Sequence, residues 1–134
     1  MSTNNILYIS YDGMTDSLGQ SQVLPYLCGL SAKGYQLTLI SAEKSDKFKA
    51  LSNGIRKICN ENNIEWHPVS YTKKPPIVST FYDIRNITRK AIKLNREKKF
   101  KLIHCRSYIP ALIGLHLKNN YQIPFLQDHR FRSH

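Results

Sequence analysis

An α/β fold, with a doubly wound, mostly parallel, Rossmann-like sheet of about five strands, is predicted by three features of the 134-residue sequence. Five short apolar runs alternate with four amphipathic ones, and strict β-α-β-α alternation belongs to parallel sheets. The first run, Ile6, Leu7 and Ile9, lacks a polar-apolar alternation, as a strand buried on both faces does. An acidic, glycine-containing loop follows it, with Asp12, Gly13, Asp16, Gly19 and Gln20, where such sheets keep their ligand sites.

The strands are expected at Ile6–Tyr11, Gln36–Ala42, Ile64–Ser70, Lys101–Arg106 and Pro124–Asp128. The first helix is expected over Ser21–Lys33, with Pro25 tolerated in its first turn and Gly34 placed for a left-handed C-terminal cap. A second helix, Asp46–Asn62, should bury Phe48, Leu51, Ile55 and Ile58. A third, Ser79–Lys98, should bury Ile84, Ile87, Ala91 and Leu94. The fourth follows Ser107, a candidate N-cap, and is apolar nearly all round through Ile109, Leu112, Ile113, Leu115 and Leu117, so it needs cover on more than one side. The connector Tyr71–Val78, with Lys73, Lys74, Pro75 and Pro76, reads as a rigid surface loop.

The bulk numbers narrow the function classes. The length suits one domain with a real core. No stretch approaches a membrane span and Met1–Asn5 is no signal peptide, so a cytoplasmic location is expected. Cys28, Cys59 and Cys105 are far apart, fall in apolar elements and show no metal-ligand spacing, so they read as reduced core thiols. His67, His104 and His116 lie within expected elements and match no zinc pattern. Neither a metal nor a cofactor is expected. The net charge of +11, from 20 Lys and Arg against 9 Asp and Glu, predicts an anionic partner.

Polar residues from separate strand ends should meet on one rim: Asp12, Gly13 and Asp16, then Ser41 and Glu43, Tyr71 and Lys73, Arg106, Ser107 and Tyr108, and Asp128, His129 and Arg130. The glycine spacing matches neither GxGxxG nor GxxxxGK[ST]. Gly19 either admits a phosphate or sugar to the helix start or simply makes a tight turn. Asp12 and Asp16 suit sugar hydroxyls, or serve the turn and helix dipole. Asp128 and His129, with Arg130, are candidate catalytic or acceptor-orienting groups, or else part of a solvated tail.

Between Arg85 and Lys101 only Glu97 opposes a run of bases. Arg85, Arg89, Lys93 and Arg96 fall on one stripe beside the apolar stripe of the third helix. This reads either as a membrane-binding face for anionic lipid or as a solvated helix surface. No nucleic-acid-binding motif is present, so nucleic acid is not expected as a partner.

The run Tyr8-Ile9-Ser10-Tyr11-Asp12-Gly13-Met14-Thr15-Asp16, continued by Leu18-Gly19-Gln20-Ser21-Gln22-Val23-Leu24-Pro25-Tyr26-Leu27, resembles the start of bacterial family-four glycosyltransferases, which have the two-domain GT-B fold. Ile103-His104-Cys105-Arg106-Ser107-Tyr108 resembles the family's fourth strand and following turn. The resemblance implies retaining transfer of a sugar from a nucleotide-sugar donor to a cell-surface glycan or lipid-linked acceptor. It implies that the N-terminal domain largely binds acceptor and that the C-terminal domain binds the nucleotide. Gly13, Asp16 and Gly19 match the loop facing the interdomain cleft, and Arg106 and Ser107 match the rim after the fourth strand. Asp128 and Arg130 match an Asp-x-Arg after the fifth.

The sequence departs from the family after Arg130, where Phe131-Arg132-Ser133-His134 replaces a glycine, an aromatic pair and acidic residues. The expectation is therefore residues 1–134 as a partial N-terminal domain without the donor-binding domain, inactive in sugar transfer alone. The expected partners are the nucleotide-sugar donor (only with a second half), the glycan or lipid-linked acceptor, and an anionic membrane surface on the inner face of the cell membrane. The alternative is a non-catalytic basic binding module for anionic lipid or phosphorylated glycan.

Overall fold

The computed structural model describes residues 4–71, 76–106 and 108–128. Five parallel strands form one sheet in the order β3-β2-β1-β4-β5: β1 Asn5–Ser10, β2 Gln36–Glu43, β3 Ile64–Ser70, β4 Leu102–Arg106 and β5 Phe125–Asp128. The helices are α1 Leu24–Ala32, α2 Ser45–Glu61, α3 Pro76–Lys98 and α4 Tyr108–Tyr121. The chain winds outward from β1 to β3, then crosses back to lay β4 on the other side of β1. The topological switch point thus lies between β1 and β4.

All six residues of β1 are buried, because helices cover both faces of this central strand. On one face Ile6, Tyr8, Leu37, Leu39, Ile64 and Trp66 pack with Val23, Leu24, Leu27, Ile55 and Cys59 of the α1/α2 layer. On the other, Leu7, Ile9, Ile40, Ile103 and Cys105 pack with Ile87, Ala91, Leu94, Ile113 and Leu117 of the α3/α4 layer. Edge strand β3 alternates instead, with Ile64 and Trp66 buried and Glu65 exposed.

The helix boundaries differ from expectation at the third and first helices. The third begins at Pro76, inside the connector expected as a loop over Tyr71–Val78, because proline suits a first helical turn. At the first helix the start is displaced. Regular α-helix begins only at Leu24, after a π-helical turn, Gly19–Val23. Pro25 has no N–H to give to the carbonyl of Ser21 and its ring crowds that carbonyl, so the turn widens and the Leu24 N–H reaches Gly19 O instead. At the other end Gly34 takes φ +102°, while its N–H reaches Ser31 O and that of Tyr35 reaches Leu30 O. This is a Schellman cap, as the sequence predicts.

α3 buries Ile87, Ala91 and Leu94, as expected, while Ile84 is only half-buried. α2 corrects the expectation: Ile55 and Cys59 are buried, but Leu51 and Ile58 are 41% and 38% exposed. α2 packs against the outermost strand, so its inward face is narrow and the flanking positions meet solvent. α4 likewise buries Ile113 and Leu117 but leaves Leu112 and Leu115 exposed.

Cys59 and Cys105 are buried free thiols, pushed up by burial to about 11 and about 12 respectively, while Cys28 is half-buried. His104 sits between Tyr8 and Tyr26, with the Tyr26 hydroxyl 3.3 Å from its Nδ1. His67 pairs with Glu65 at 2.6 Å, and His116 Nδ1 lies 3.2 Å from the side-chain amide of Asn120.

Candidate functional site

Register brings the strand ends level. Ser10 is paired with Ser41 on one side and Arg106 on the other, and Arg106 is paired with Asp128. At the switch point between β1 and β4, Arg106 Nε faces Asp12 Oδ2 at 3.4 Å and Arg106 Nη2 donates to Gln22 Oε1 at 2.7 Å. The Arg106 side chain is 1% exposed and that of Asp12 is 39% exposed. A buried guanidinium therefore holds a carboxylate whose outer side meets solvent, and such a group can accept hydrogen bonds from hydroxyls.

The loop after β1 is held by Glu43, a buried residue at the end of β2. Its Oε2 accepts from the Met14 N–H at 2.8 Å and from the Ser41 hydroxyl. Its Oε1 accepts from the Thr15 N–H at 3.2 Å and the Thr15 hydroxyl at 2.8 Å. Trp66 Nε1 donates to Ser41 Oγ at 2.8 Å and extends the network across to β3. With four donors on one carboxylate the buried charge is satisfied.

The loop glycines answer to this packing. A Cβ on Gly13 would lie 2.5 Å from Glu43 Oε1 and 2.8 Å from Ala42 O. A Cβ on Gly19 would strike Gly13 O and come within 2.7 Å of Met14 Cα. Close backbone approach within the protein thus excludes side chains at both positions. Gln20 braces the same turn, its amide donating to Thr15 O at 3.1 Å.

Asp16 closes the loop. It accepts from the Gly13 N–H at 3.1 Å and pairs with Lys44 at 3.0 Å and Lys47 at 3.1 Å. Partial burial opposes its charge, but the two lysines and the Gly13 N–H outweigh this and hold its pKa below the usual carboxylate value. Lys44 also lies 4.9 Å above the Tyr71 ring, which packs on Tyr11 at 5.2 Å. The Tyr11 hydroxyl donates to the buried Asp83 at 2.8 Å and so ties the rim to α3. Burial first, then the neighbouring Asp83, raises the Tyr11 pKa.

The structure thus brings Asp12, Gly13, Asp16, Gly19, Gln20 and Arg106 to one rim. Ser107, His129 and Arg130 lie outside the described residues. Asp128 is placed by its backbone, at the end of β5 beside Arg106. Arg85, Arg89, Lys93 and Arg96 are all exposed on α3. Sequence reasoning put Glu43 on the rim without its role as hub, and missed Gln22, Lys44 and Lys47. The position of Lys44 and Lys47 directly after β2 was the available signal. A cavity of about 230 Å³ opens on this rim, lined by Glu43, Phe48, Lys49, Val69 and Tyr71 among others. A larger groove of about 630 Å³ lies at the opposite, amino ends of the strands, by Asn5, Gln36, Asn63 and Glu65. The smaller one lies at the carboxyl ends of β2 and β3 beside α2, away from the switch point between β1 and β4, and neither Asp12 nor Arg106 lines it.

No family model and no curated protein sequence matches this chain. Solved structures do share its fold. The C-terminal domain of a hydrogenase from Pyrococcus furiosus superposes with TM-score 0.68 at 14% identity, over 96% of this chain and 93% of that one. The glycotransferase of kitacinnamycin superposes with TM-score 0.64 at 16% identity, over 92% of this chain and 29% of its own. Spinosyn rhamnosyltransferase, complexed with thymidine diphosphate, gives TM-score 0.52 at 12% identity, over 92% of this chain and 34% of its own. The protein therefore has a Rossmann-like α/β fold of the kind found in one portion of glycosyltransferases. It spans about a third or less of those two enzymes.

Proposed function

We propose that this domain is the acceptor-binding half of a retaining glycosyltransferase. The enzyme would move a sugar from a nucleotide-sugar donor to a cell-surface glycan or lipid-linked acceptor. The observation that carries this reading is the half-exposed carboxylate of Asp12, held by the buried Arg106 at the switch point of a fold shared with one portion of glycosyltransferases. A fixed carboxylate at a strand-end rim suits an array of sugar hydroxyls, because each hydroxyl can donate to it.

In this reading Gly13, Asp16, Gly19 and Gln20 shape the loop that faces the acceptor and Arg106 lines the same rim, while Ser107 and Arg130 are substrate-binding candidates by the resemblance alone. Asp128 and His129 are the candidate catalytic groups. The nucleotide sugar is bound by a second α/β half, in further sequence or in another chain. Transfer needs both substrates held in one closed cleft, so the 134 residues alone are expected to show none.

A titration of ¹⁵N-labelled protein with bacterial-type oligosaccharides and with nucleotide sugars tests this. Saccharides should shift amide signals of Asp12, Gly13 and Tyr71, and Asp12→Asn should weaken that binding about tenfold. Shifts confined to the amino-end groove around Asn5 and Asn63, or no saccharide shifts at the rim, would overturn the reading. Sugar transfer by the purified chain alone would overturn the half-enzyme assignment.

A further inference from the structure

We infer that the outer layer formed by α3 and α4 is a docking surface for an anionic phospholipid membrane. The inference stands apart from the transferase reading and does not rest on it. Its basis is how α3 divides its residues. The buried side carries Asp83, Ile87, Ala91 and Leu94. On the opposite side, within an arc of about 120° at 3.6 residues per turn, stand Phe81, Tyr82, Arg85, Arg89, Lys93 and Arg96. Phe81 and Tyr82 are 69% and 57% exposed. All four bases are exposed, and among the described residues none of the four pairs with a carboxylate.

The neighbouring helix extends the same layer. α3 and α4 pack on one face of the sheet through a shared core, and α4 turns Leu112 and Leu115 outward. No acid lies on α4, and Glu97 is the one exposed acid of α3 among the described residues. Aromatic and aliphatic side chains beside exposed arginines and lysine match the two layers of a bilayer surface, acyl boundary and anionic headgroups. A nucleic acid would find the bases but has no use for exposed leucines on the adjoining helix.

The geometry also sets an orientation. α3 starts at the carboxyl-end rim, since it follows β3, and Tyr11 at the end of β1 is bonded to Asp83 in its early turns. Phe81 and Tyr82 immediately precede Asp83 in sequence. A membrane seated on them lies beside the mouth of the candidate site.

Vesicle flotation with purified protein tests the inference. Vesicles of phosphatidylcholine with 30% phosphatidylglycerol should retain it and pure phosphatidylcholine should not, with the vesicle composition chosen at roughly the anionic content that attracts polybasic surfaces. The triple variant Arg85→Glu/Arg89→Glu/Lys93→Glu should lower partitioning by about a hundredfold. Lys33→Glu/Lys57→Glu, which reverses exposed bases in the α1/α2 layer, should change it less than about threefold. Phe81→Ser/Tyr82→Ser should leave low-salt binding and abolish what persists at high salt. Circular dichroism confirms that each variant folds. No binding to anionic vesicles, equal losses in the two charge-reversal variants, or tighter binding of duplex DNA through the same bases would each overturn it.

Discussion

The loop after β1 and the outer face of α3 use charge in opposite ways. Around the loop the charged groups bond one another or the loop itself, with the outer side of Asp12 left to solvent: Glu43 accepts four hydrogen bonds, Asp16 is held by two lysines and a backbone N–H, and Arg106 bonds Gln22 and faces Asp12. On α3 four exposed bases have no carboxylate partner among the described residues. The difference teaches what to expect of each region. Charges that bond one another set geometry, so altering them should move stability and the shape of the rim. Charges left facing solvent are hydrated and open to a partner, so altering them should leave stability nearly unchanged and should move binding if the membrane inference holds.

The largest stability effect should come from Glu43→Ala. It strips an acceptor from two backbone N–H groups and two hydroxyls in a buried place, at a cost of about 3–5 kcal/mol in urea unfolding. A loss under about 1 kcal/mol would break the contrast, since Glu43 would then be no hub.

Gly19→Ala comes next. Its new methyl meets backbone atoms of Gly13 and Met14, which cannot swing aside as a side-chain tip can. About 2–3 kcal/mol should be lost. Gly13→Ala should lose a comparable amount, because its methyl meets Ala42 O and the Glu43 carboxylate that four hydrogen bonds hold in place.

Acid comes third. The Asp16 carboxyl has a lower pKa folded than its ordinary 3.8, so the folded state releases that proton more readily than the unfolded chain. Its stabilising contribution is complete above the ordinary value and is lost as the pH falls below it. Wild type should therefore lose more stability than Asp16→Asn between about pH 4 and pH 2. At neutral pH Asp16→Asn should be less stable by about 1 kcal/mol, a modest figure because Lys47 is half-exposed and water screens the pair. Parallel acid profiles for the two proteins would remove Asp16 from the loop's internal bonding.

The smallest effect sharpens the other side of the comparison. Arg89→Gln should change unfolding free energy by less than about 0.5 kcal/mol while weakening attachment to anionic vesicles several-fold. A stability loss above 1 kcal/mol would show that α3 needs that charge for its own fold.

The features legible in the sequence are those set by neighbours along the chain. β1 reads as a central strand because an unbroken apolar run cannot leave one face in water. The buried face of α3 follows from its spacing, and the cap at Gly34 from the need for positive φ. Even the rim was foreseeable, because parallel strands must end their polar residues on the same side.

Tertiary structure decided the rest, because its partners lie far apart in sequence. Glu43 reaches Met14 and Thr15 across 28 or 29 positions, and Arg106 reaches Gln22 across 84. Only the side-by-side register of β2, β1 and β4 brings them within bonding distance. That same packing turned Leu51 and Ile58 outward, for the amphipathic pattern names an apolar face but not how much of it an edge strand can cover. It also made Gly13 and Gly19 necessary for a reason no spacing reveals, since the atoms that exclude their side chains include the carbonyl of one facing the other.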